Sequence, residues 1–272
     1  MKQKQISILG CGWLGFPLAK HFVAHNYIVK GSTTSTEKVT TLQEANIQPY
    51  VFSLGMTNND QVFTDFLADS NVLVINFPPK RIPNILEIYQ QQIEAILPFI
   101  HEKQHVIFVS STSVYQNTND WVTEDIENVP EKVSGKAVLA VENILKKHLQ
   151  ERLTILRFAG LFGYDRVPGR FFANKTEVAN GKAPINMIHQ DDCIGLIDAI
   201  IDQNVWGEII NGCSDEHPLR EVFYVLAAKK EGLVPPTFKD TDEVSFKKIS
   251  NLKSKTLLNY SYKHPDPLVF VK

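Results

Sequence analysis

The residues best suited to chemistry stand near the start of the chain, in the run Gly10-Cys-Gly-Trp-Leu-Gly15. The spacing is Gly-x-Gly-x-x-Gly, and its setting gives it meaning. Gln5-Ile-Ser-Ile-Leu9 ahead of it reads as a strand; behind it Leu14, Leu18 and Phe22 recur every fourth residue, with Ala19 and Val23 beside them, which predicts a helix. At such a junction the first glycine permits a tight turn, the second lets backbone approach a diphosphate, and the third lets helix pack close on strand. The helix then presents amides with no acceptor of their own, and its positive dipole end, to the anion. Gly10, Gly12, Trp13, Leu14 and Gly15 are the candidate diphosphate-binding residues of a dinucleotide cofactor.

The end of the next strand, Tyr27 to Ser32, decides which dinucleotide. An Asp or Glu about 20 residues past the glycines would hold a ribose 2′-hydroxyl. This sequence has Gly31-Ser-Thr-Thr-Ser-Thr-Glu-Lys38 instead. Thr33, Thr34 and Ser35 offer hydroxyls that donate to a 2′-phosphate without repelling it, and Lys38 and Lys30 are the nearby positive charges. NADP is the expected cofactor and NAD the alternative. The competing role for these residues is a helix cap, Ser35 or Thr36 leading into Glu37 and Lys38.

A fifth apolar run, His105 to Val109, opens into Ser110-Ser-Thr-Ser-Val-Tyr115. Here the chain resembles the extended short-chain dehydrogenase/reductases, the NAD(P)-dependent epimerase/dehydratase family, and within it the atypical YeeZ-like subgroup. The resemblance is carried by the glycine loop through Pro17, by Ser110 to Tyr115, and by Leu156-Arg-Phe-Ala-Gly-Leu-Phe-Gly163. Pro168-Gly-Arg-Phe-Phe-Ala173, Asn186-Met-Ile-His-Gln-Asp-Asp192 and Tyr262-Lys-His-Pro-Asp-Pro267 extend it in order over nearly the full length.

The resemblance implies that Ser110 and the Asn76-Phe77-Pro78 strand end meet the cofactor, and that Ser111 and Thr112 supply catalytic hydroxyls. It also implies a Tyr-x-x-x-Lys dyad, with a Glu four residues after the lysine. Glu142 fits that Glu, which places Ser134 at the tyrosine position and Val138 at the lysine position. Neither side chain can transfer a proton as that dyad does, and Lys136 lies roughly 200° around the helix from both. Tyr115 reads as a packing residue with a bonded hydroxyl.

On the substrate side, Arg166 and Arg170 follow the sixth expected strand, Leu153 to Leu156, in the region the family uses for its substrate. A guanidinium fork suits phosphate or carboxylate, so both are candidate anion-binding residues. Arg157, ending a buried strand, is expected to pair internally. His189 is the candidate replacement acid–base, by its ordinary pKa. Asp191 or Asp192 beside it suits the N-cap of the next helix, so a structural role is expected there and no metal. His21 and His25, four apart, read as a surface pair.

Continuous apolar strands alternating with helices over the first 160 or so residues imply a Rossmann-type doubly wound parallel sheet, helices on both faces. The expected organisation is a dinucleotide-binding domain over 1–164, a smaller C-terminal α/β substrate region over 165–272, and a return near 186–210 to the first domain. A helix is expected from about Pro83 to His101, bent or ended near Pro98. The 28 Lys plus Arg against 30 Asp plus Glu give a net charge of −2, without the basic concentration that nucleic acid or an anionic membrane would attract. Apolar stretches such as Val72 to Ile75 are too short to span a bilayer. Met1-Lys-Gln-Lys could open a leader, but the glycines inside the following apolar run argue otherwise. The three cysteines, Cys11, Cys193 and Cys213, are odd in number and scattered, which suggests a reducing compartment and hence the cytoplasm.

The expected activity is oxidoreductase or epimerase-like, on a nucleotide-linked sugar or other small polar substrate, with a homodimer by analogy to the family. The alternatives are a non-catalytic NADP(H)-responsive protein and a 3-hydroxyacid dehydrogenase-like enzyme. The second would carry an all-helical C-terminal domain.

Overall fold

Unbroken apolar runs make the central strands. The computed structural model describes residues 4–55, 60–127, 129–241 and 243–272; Met1-Lys-Gln of the weighed leader lies outside them. The chain runs β1 (Gln5–Leu9), α1 (Gly15–Ala24), β2 (Ile28–Thr33), α2 (Val39–Glu44), β3 (Gln48–Val51), α3 (Asp60–Leu67) and β4 (Val72–Ile75). It continues with α4 (Ile85–Glu94), β5 (His105–Ser111), β6 (Trp121–Val122), α5 (Val133–Leu149), β7 (Leu153–Phe158), β8 (Gly160–Phe162) and α6 (Gly169–Phe172). β9 (Met187–His189), α7 (Gln190–Gln203), β10 (Ile209–Gly212), α8 (Arg220–Lys230), β11 (Lys248–Ile249), α9 (Leu252–Leu257) and α10 (Pro267–Val271) complete it.

The main sheet has seven strands in the order β10-β7-β5-β4-β1-β2-β3. The pairs β1–β2, β1–β4, β2–β3 and β4–β5 are parallel. Every residue of β1, β4 and β7 is buried, as strands covered on both faces must be. Strand order reverses between β1 and β4, and in doubly wound sheets ligands bind at the carboxyl ends beside such a reversal. The fold is the expected Rossmann type. The long helix expected to His101 stops at Glu94, and a 3-10 turn, Leu97–Phe99, carries Pro98.

The described chain divides into two compact units. The first comprises Met1–Val114, Pro130–Leu156 and Asn204–Ile209; the second comprises Tyr115–Val129, Arg157–Gln203 and Ile210–Lys272. The division therefore falls inside β7, ahead of the expected 164/165 boundary, and only residues 204–209 of the expected return belong to the first unit.

In the first unit α1 and β1 bury Leu18, Ala19, Phe22, Ile6 and Ile8, while α5 buries Val141 and Leu145. In the second, Phe162, Ile185, Met187, Phe223, Tyr224, Ala227 and Val271 form a core. That unit contains two small parallel pairs, β8–β9 and β6–β11. It is therefore not the all-helical domain of a 3-hydroxyacid dehydrogenase. Among the described residues no helix is long and apolar enough to cross a membrane. Cys11, Cys193 and Cys213 are all free and buried.

Candidate functional site

The glycine loop leaves β1 and enters α1 in the expected place, and each glycine meets a different requirement. Gly10 has φ +107°, and a Cβ there would lie 2.5 Å from the Asn76 carbonyl oxygen. A Cβ on Gly15 would strike the Gly10 carbonyl, which is the close helix–strand approach read from the sequence. At Gly12 a Cβ would meet nothing within 4 Å. Packing therefore does not require that glycine. No side chain caps α1 at Leu14; within its first turn Pro17 has no amide and the Phe16 amide donates to the Gly12 carbonyl at 3.0 Å, which leaves the Gly15 amide as the helix's donor toward an anion. Trp13 is half-buried and Leu14 buried.

Side chains at neighbouring strand ends pin this backbone. The Gly10 amide donates to Ser32 Oγ at 2.9 Å, and the Cys11 amide to the Ser32 carbonyl at 2.8 Å. Asn76 Nδ2 donates to the Gly10 carbonyl at 3.2 Å. Asn76 thus shapes the loop from β4, a role its sequence position alone did not disclose. Burial pushes the Cys11 thiol up to about 12, against the opposing pull of the Lys38 charge. It is a packing residue.

A crevice of about 370 Å³ opens beside the loop, within the range of small-molecule sites. Gly10, Cys11 and Gly12 line it, with Ser32, Thr33, Thr34 and Lys38 from the β2 end and Asn76, Phe77, Pro78 and Lys80 from the β4 end. Leu9, Phe52, Ser53, Leu54 and Gln92 complete the wall, and among the described residues no carboxylate lines it. Lys80, Phe52 and Gln92 were missed in the sequence because nothing local marks a residue as facing a crevice. Ser35 is not among the lining residues; its amide donates to Thr33 Oγ1 at 3.1 Å, and no side chain caps the following turn. Lys30 is a correction. Its ammonium donates to the Asp65 and Ala68 carbonyls, at 2.6 and 2.9 Å, at the C-terminal end of α3.

At the end of β5, Ser110 Oγ donates to Glu142 Oε1 at 2.6 Å, both groups being buried. The Ser110 side chain therefore serves α5, and any cofactor contact from it falls to the backbone. Ser111 Oγ accepts from the Ser113 amide at 3.1 Å, and Thr112 is buried in the turn that follows. On α5 Ser134 and Lys136 are exposed, whereas Val138 is buried.

In the second unit Tyr115 is 1% exposed, and its hydroxyl donates to Asn211 Oδ1 at 2.9 Å. The wholly buried Arg157 donates to the same hydroxyl at 2.8 Å. Burial raises the Tyr115 phenol, with Arg157 pulling the other way. Both residues pair internally, as expected. Arg166 is exposed, its Nε donating to the Leu161 carbonyl at 2.9 Å, and Arg170 is exposed on α6.

His189 is 2% exposed, its ring enclosed by Phe162, Tyr164, His264 and Phe270. Burial, with the His264 charge, lowers its pKa, against the opposing effect of Asp191 and Asp192. The structural role expected here is present, but through bonds to distant segments and not as a helix cap. Asp192 Oδ1 accepts from the Lys263 amide at 2.7 Å and from Tyr260 Oη at 3.0 Å, while Oδ2 accepts from the His264 amide at 3.1 Å. Asp191 accepts from Tyr164 Oη at 2.9 Å and pairs with His264 Nε2 at 3.1 Å. Both carboxylates hold segments remote in sequence.

The doubly wound sheet with the glycine loop at its reversal defines a Rossmann-type fold. No protein-family profile matches the chain. It is 35% identical to Protein YeeZ of Escherichia coli strain K12 over 98% of each chain, and it belongs to that YeeZ family. Among solved structures it resembles an NAD-dependent epimerase/dehydratase-type protein from Methylobacillus flagellatus, with TM-score 0.73 and 23% identity over 98% of this chain and 96% of the other. It also resembles the UDP-glucuronic acid 4-epimerase of Bacillus cereus in complex with NAD, with TM-score 0.76 and 21% identity over 95% and 94% of the two chains.

Proposed function

We propose that the chain binds NADP(H) in the glycine-loop crevice and acts as an oxidoreductase or epimerase-like enzyme on a nucleotide-linked sugar or other small polar substrate. The carrying observation is the composition of that crevice. Its wall combines the open face of Gly12 with Thr33, Thr34, Lys38 and Lys80 and no carboxylate. Two ammonium groups and two hydroxyls favour a ribose 2′-phosphate; NAD enzymes place a carboxylate at the corresponding strand end. The glycine-loop backbone and the Gly15 amide at the start of α1 hold the diphosphate, and Phe77 and Pro78 offer an apolar wall to the adenosine half. When bound, the nicotinamide supplies hydride exchange. The Bacillus cereus neighbour acts on UDP-glucuronic acid with NAD, which supports the reaction class.

For the reacting end we propose Ser111 and Thr112 as the hydroxyls of the β5 edge, and Arg166 and Arg170 as anion contacts for the substrate. His189 is too enclosed for us to retain it as the acid–base. Titration of the purified protein with NADPH and NADH tests the core of this reading. NADPH should bind tighter, and Lys38→Ala or Lys80→Ala should each narrow the difference about tenfold, the equivalent of ~1.4 kcal/mol. Tighter NADH binding sinks the NADP assignment, and binding of neither sinks the whole reading.

A second reading, an NADP(H)-responsive protein without turnover, has one specific observation in its favour. The positions that carry tyrosine and lysine in the family hold an exposed serine and a buried valine, Ser134 and Val138. Hydride transfer from NADPH to any member of a panel of nucleotide sugars and carbonyl compounds decides for the enzyme.

A further inference from the structure

The geometry points to a divalent-cation site of zinc type in the second unit, formed by His189, Asp191 and His264. Asp191 Oδ2 lies 3.5 Å from His189 Nδ1 and 3.1 Å from His264 Nε2. Ligand atoms of a tetrahedral zinc ion, bound at about 2.0–2.1 Å, stand about 3.3 Å apart. Two of the three edges therefore already have the required length, and all three ligand atoms lie within 4.8 Å of one another. Two imidazoles and a carboxylate suit zinc and the later first-row metals better than magnesium or calcium, which prefer oxygen.

The ligands are gathered before any metal arrives. His189 Nδ1 accepts from the Asp191 amide at 3.2 Å, so the nitrogen nearest the cluster carries the lone pair. A metal would displace that long bond and the proton through which His264 Nε2 donates to Asp191 Oδ2. The His264 ring lies against that of His189, tilted by 33° with centroids 3.7 Å apart, and must swing outward by about 1.5 Å for both nitrogens to share one tetrahedral ion. Gly163 leaves the His189 ring room that a Cβ, 2.6 Å from Nε2, would take. Tyr164 Oη steadies Asp191 through Oδ1, leaving Oδ2 for the cation. Asp192 fixes the main chain at Lys263 and His264, and Ser214 Oγ donates to the His264 carbonyl at 2.9 Å. Such outer partners orient metal ligands in established sites.

The charge balance also permits a cation. The cluster sits at the amino end of α7, whose dipole opposes positive charge, but Asp191 and Asp192 in its first turn outweigh a half charge. The Asp191 and His264 side chains are 29% and 33% exposed, so water can reach a fourth position. That pattern, three protein ligands and one open place, is that of zinc sites that bind an exchangeable group.

Chelator-stripped full-length protein, titrated with zinc chloride by calorimetry, should take up one ion per chain. His264→Ala and Asp191→Asn should weaken that binding at least tenfold, and cobalt(II) in place of zinc should give the visible absorption of a four- or five-coordinate ion. A His21→Ala/His25→Ala variant should bind as tightly as the parent, which removes the surface pair as the source. NADPH titration of each variant reports whether the protein is still folded, and it is independent of the metal. No zinc uptake, or uptake unchanged in both His264→Ala and Asp191→Asn, overturns the site whatever the cofactor result.

Discussion

The glycine loop of the first unit and the histidine–aspartate cluster of the second place their chemistry by opposite means. The loop works through backbone. Amides at one helix start are presented by glycines within a six-residue run, and side chains such as Ser32 and Asn76 only pin it. The cluster works through side chains, and some of its bonds join residues more than seventy positions apart, such as Asp192 with the His264 amide. Local geometry can be encoded in a motif. Convergence of distant side chains is encoded in the whole fold.

The sharpest way to break the first half of this contrast is to alter two glycines of one motif. Gly10→Ala forces a side chain into φ +107° and onto the Asn76 carbonyl. It should cost about 4 kcal/mol, lower the melting temperature by roughly 8–16 °C and abolish NADPH binding. Gly12→Ala meets no protein atom, so the melting temperature should stay within about 2 °C while NADPH affinity falls at least tenfold. If Gly12→Ala binds NADPH like the parent, the diphosphate does not approach this backbone.

The counterpart in the second unit is Arg157→Met, which keeps the buried apolar stem and removes the guanidinium from Tyr115 Oη. A buried hydroxyl losing a charged partner should cost about 2–3 kcal/mol in denaturant unfolding, with NADPH affinity unchanged. A smaller effect is expected from Ser110→Ala, about 1–2 kcal/mol, because Glu142 keeps Lys146 as a partner at 3.7 Å. Its NADPH dissociation constant should hold within about twofold if Ser110 serves α5. A tenfold loss of affinity would instead return the Ser110 hydroxyl to the cofactor.

What could be read from the sequence follows the same division. The strand–glycine–helix junction, the parallel sheet and the absence of a carboxylate after β2 were legible because each is a matter of neighbouring residues. Tyr115 and Arg157 were read as internally bonded from their apolar surroundings, and they are. Lys30 was misread because strand alternation shows that a side chain leaves the sheet but not what waits there, here the carbonyl end of α3. Asp192 was misread as a cap because a carboxylate at a helix start has that role by default. Its true acceptor role depends on Tyr260 and Lys263, which no local pattern connects to it. Lys80 on the crevice wall and His264 in the cluster were invisible for the same reason.

The finest test of the side-chain half of the comparison is a pH dependence at Glu124. Its Oε1 accepts from the Asn211 amide at 2.8 Å, beside the Tyr115–Arg157 network, and burial raises its pKa. The folded protein therefore holds this proton to higher pH than the unfolded chain does. Its contribution to stability is full below the unfolded value and is lost as pH rises through the folded one. Glu124→Gln keeps an oxygen for Asn211 and cannot ionise. The stability of Glu124→Gln relative to the parent, from denaturant unfolding at a series of pH values, should thus climb from acid toward neutrality and then level off. A flat difference would mean that water reaches the carboxylate as freely in the folded protein as in the unfolded one, and a falling difference would mean that the Asn211 amide outweighs burial. The network around Tyr115 would then tolerate a charge that its burial should exclude.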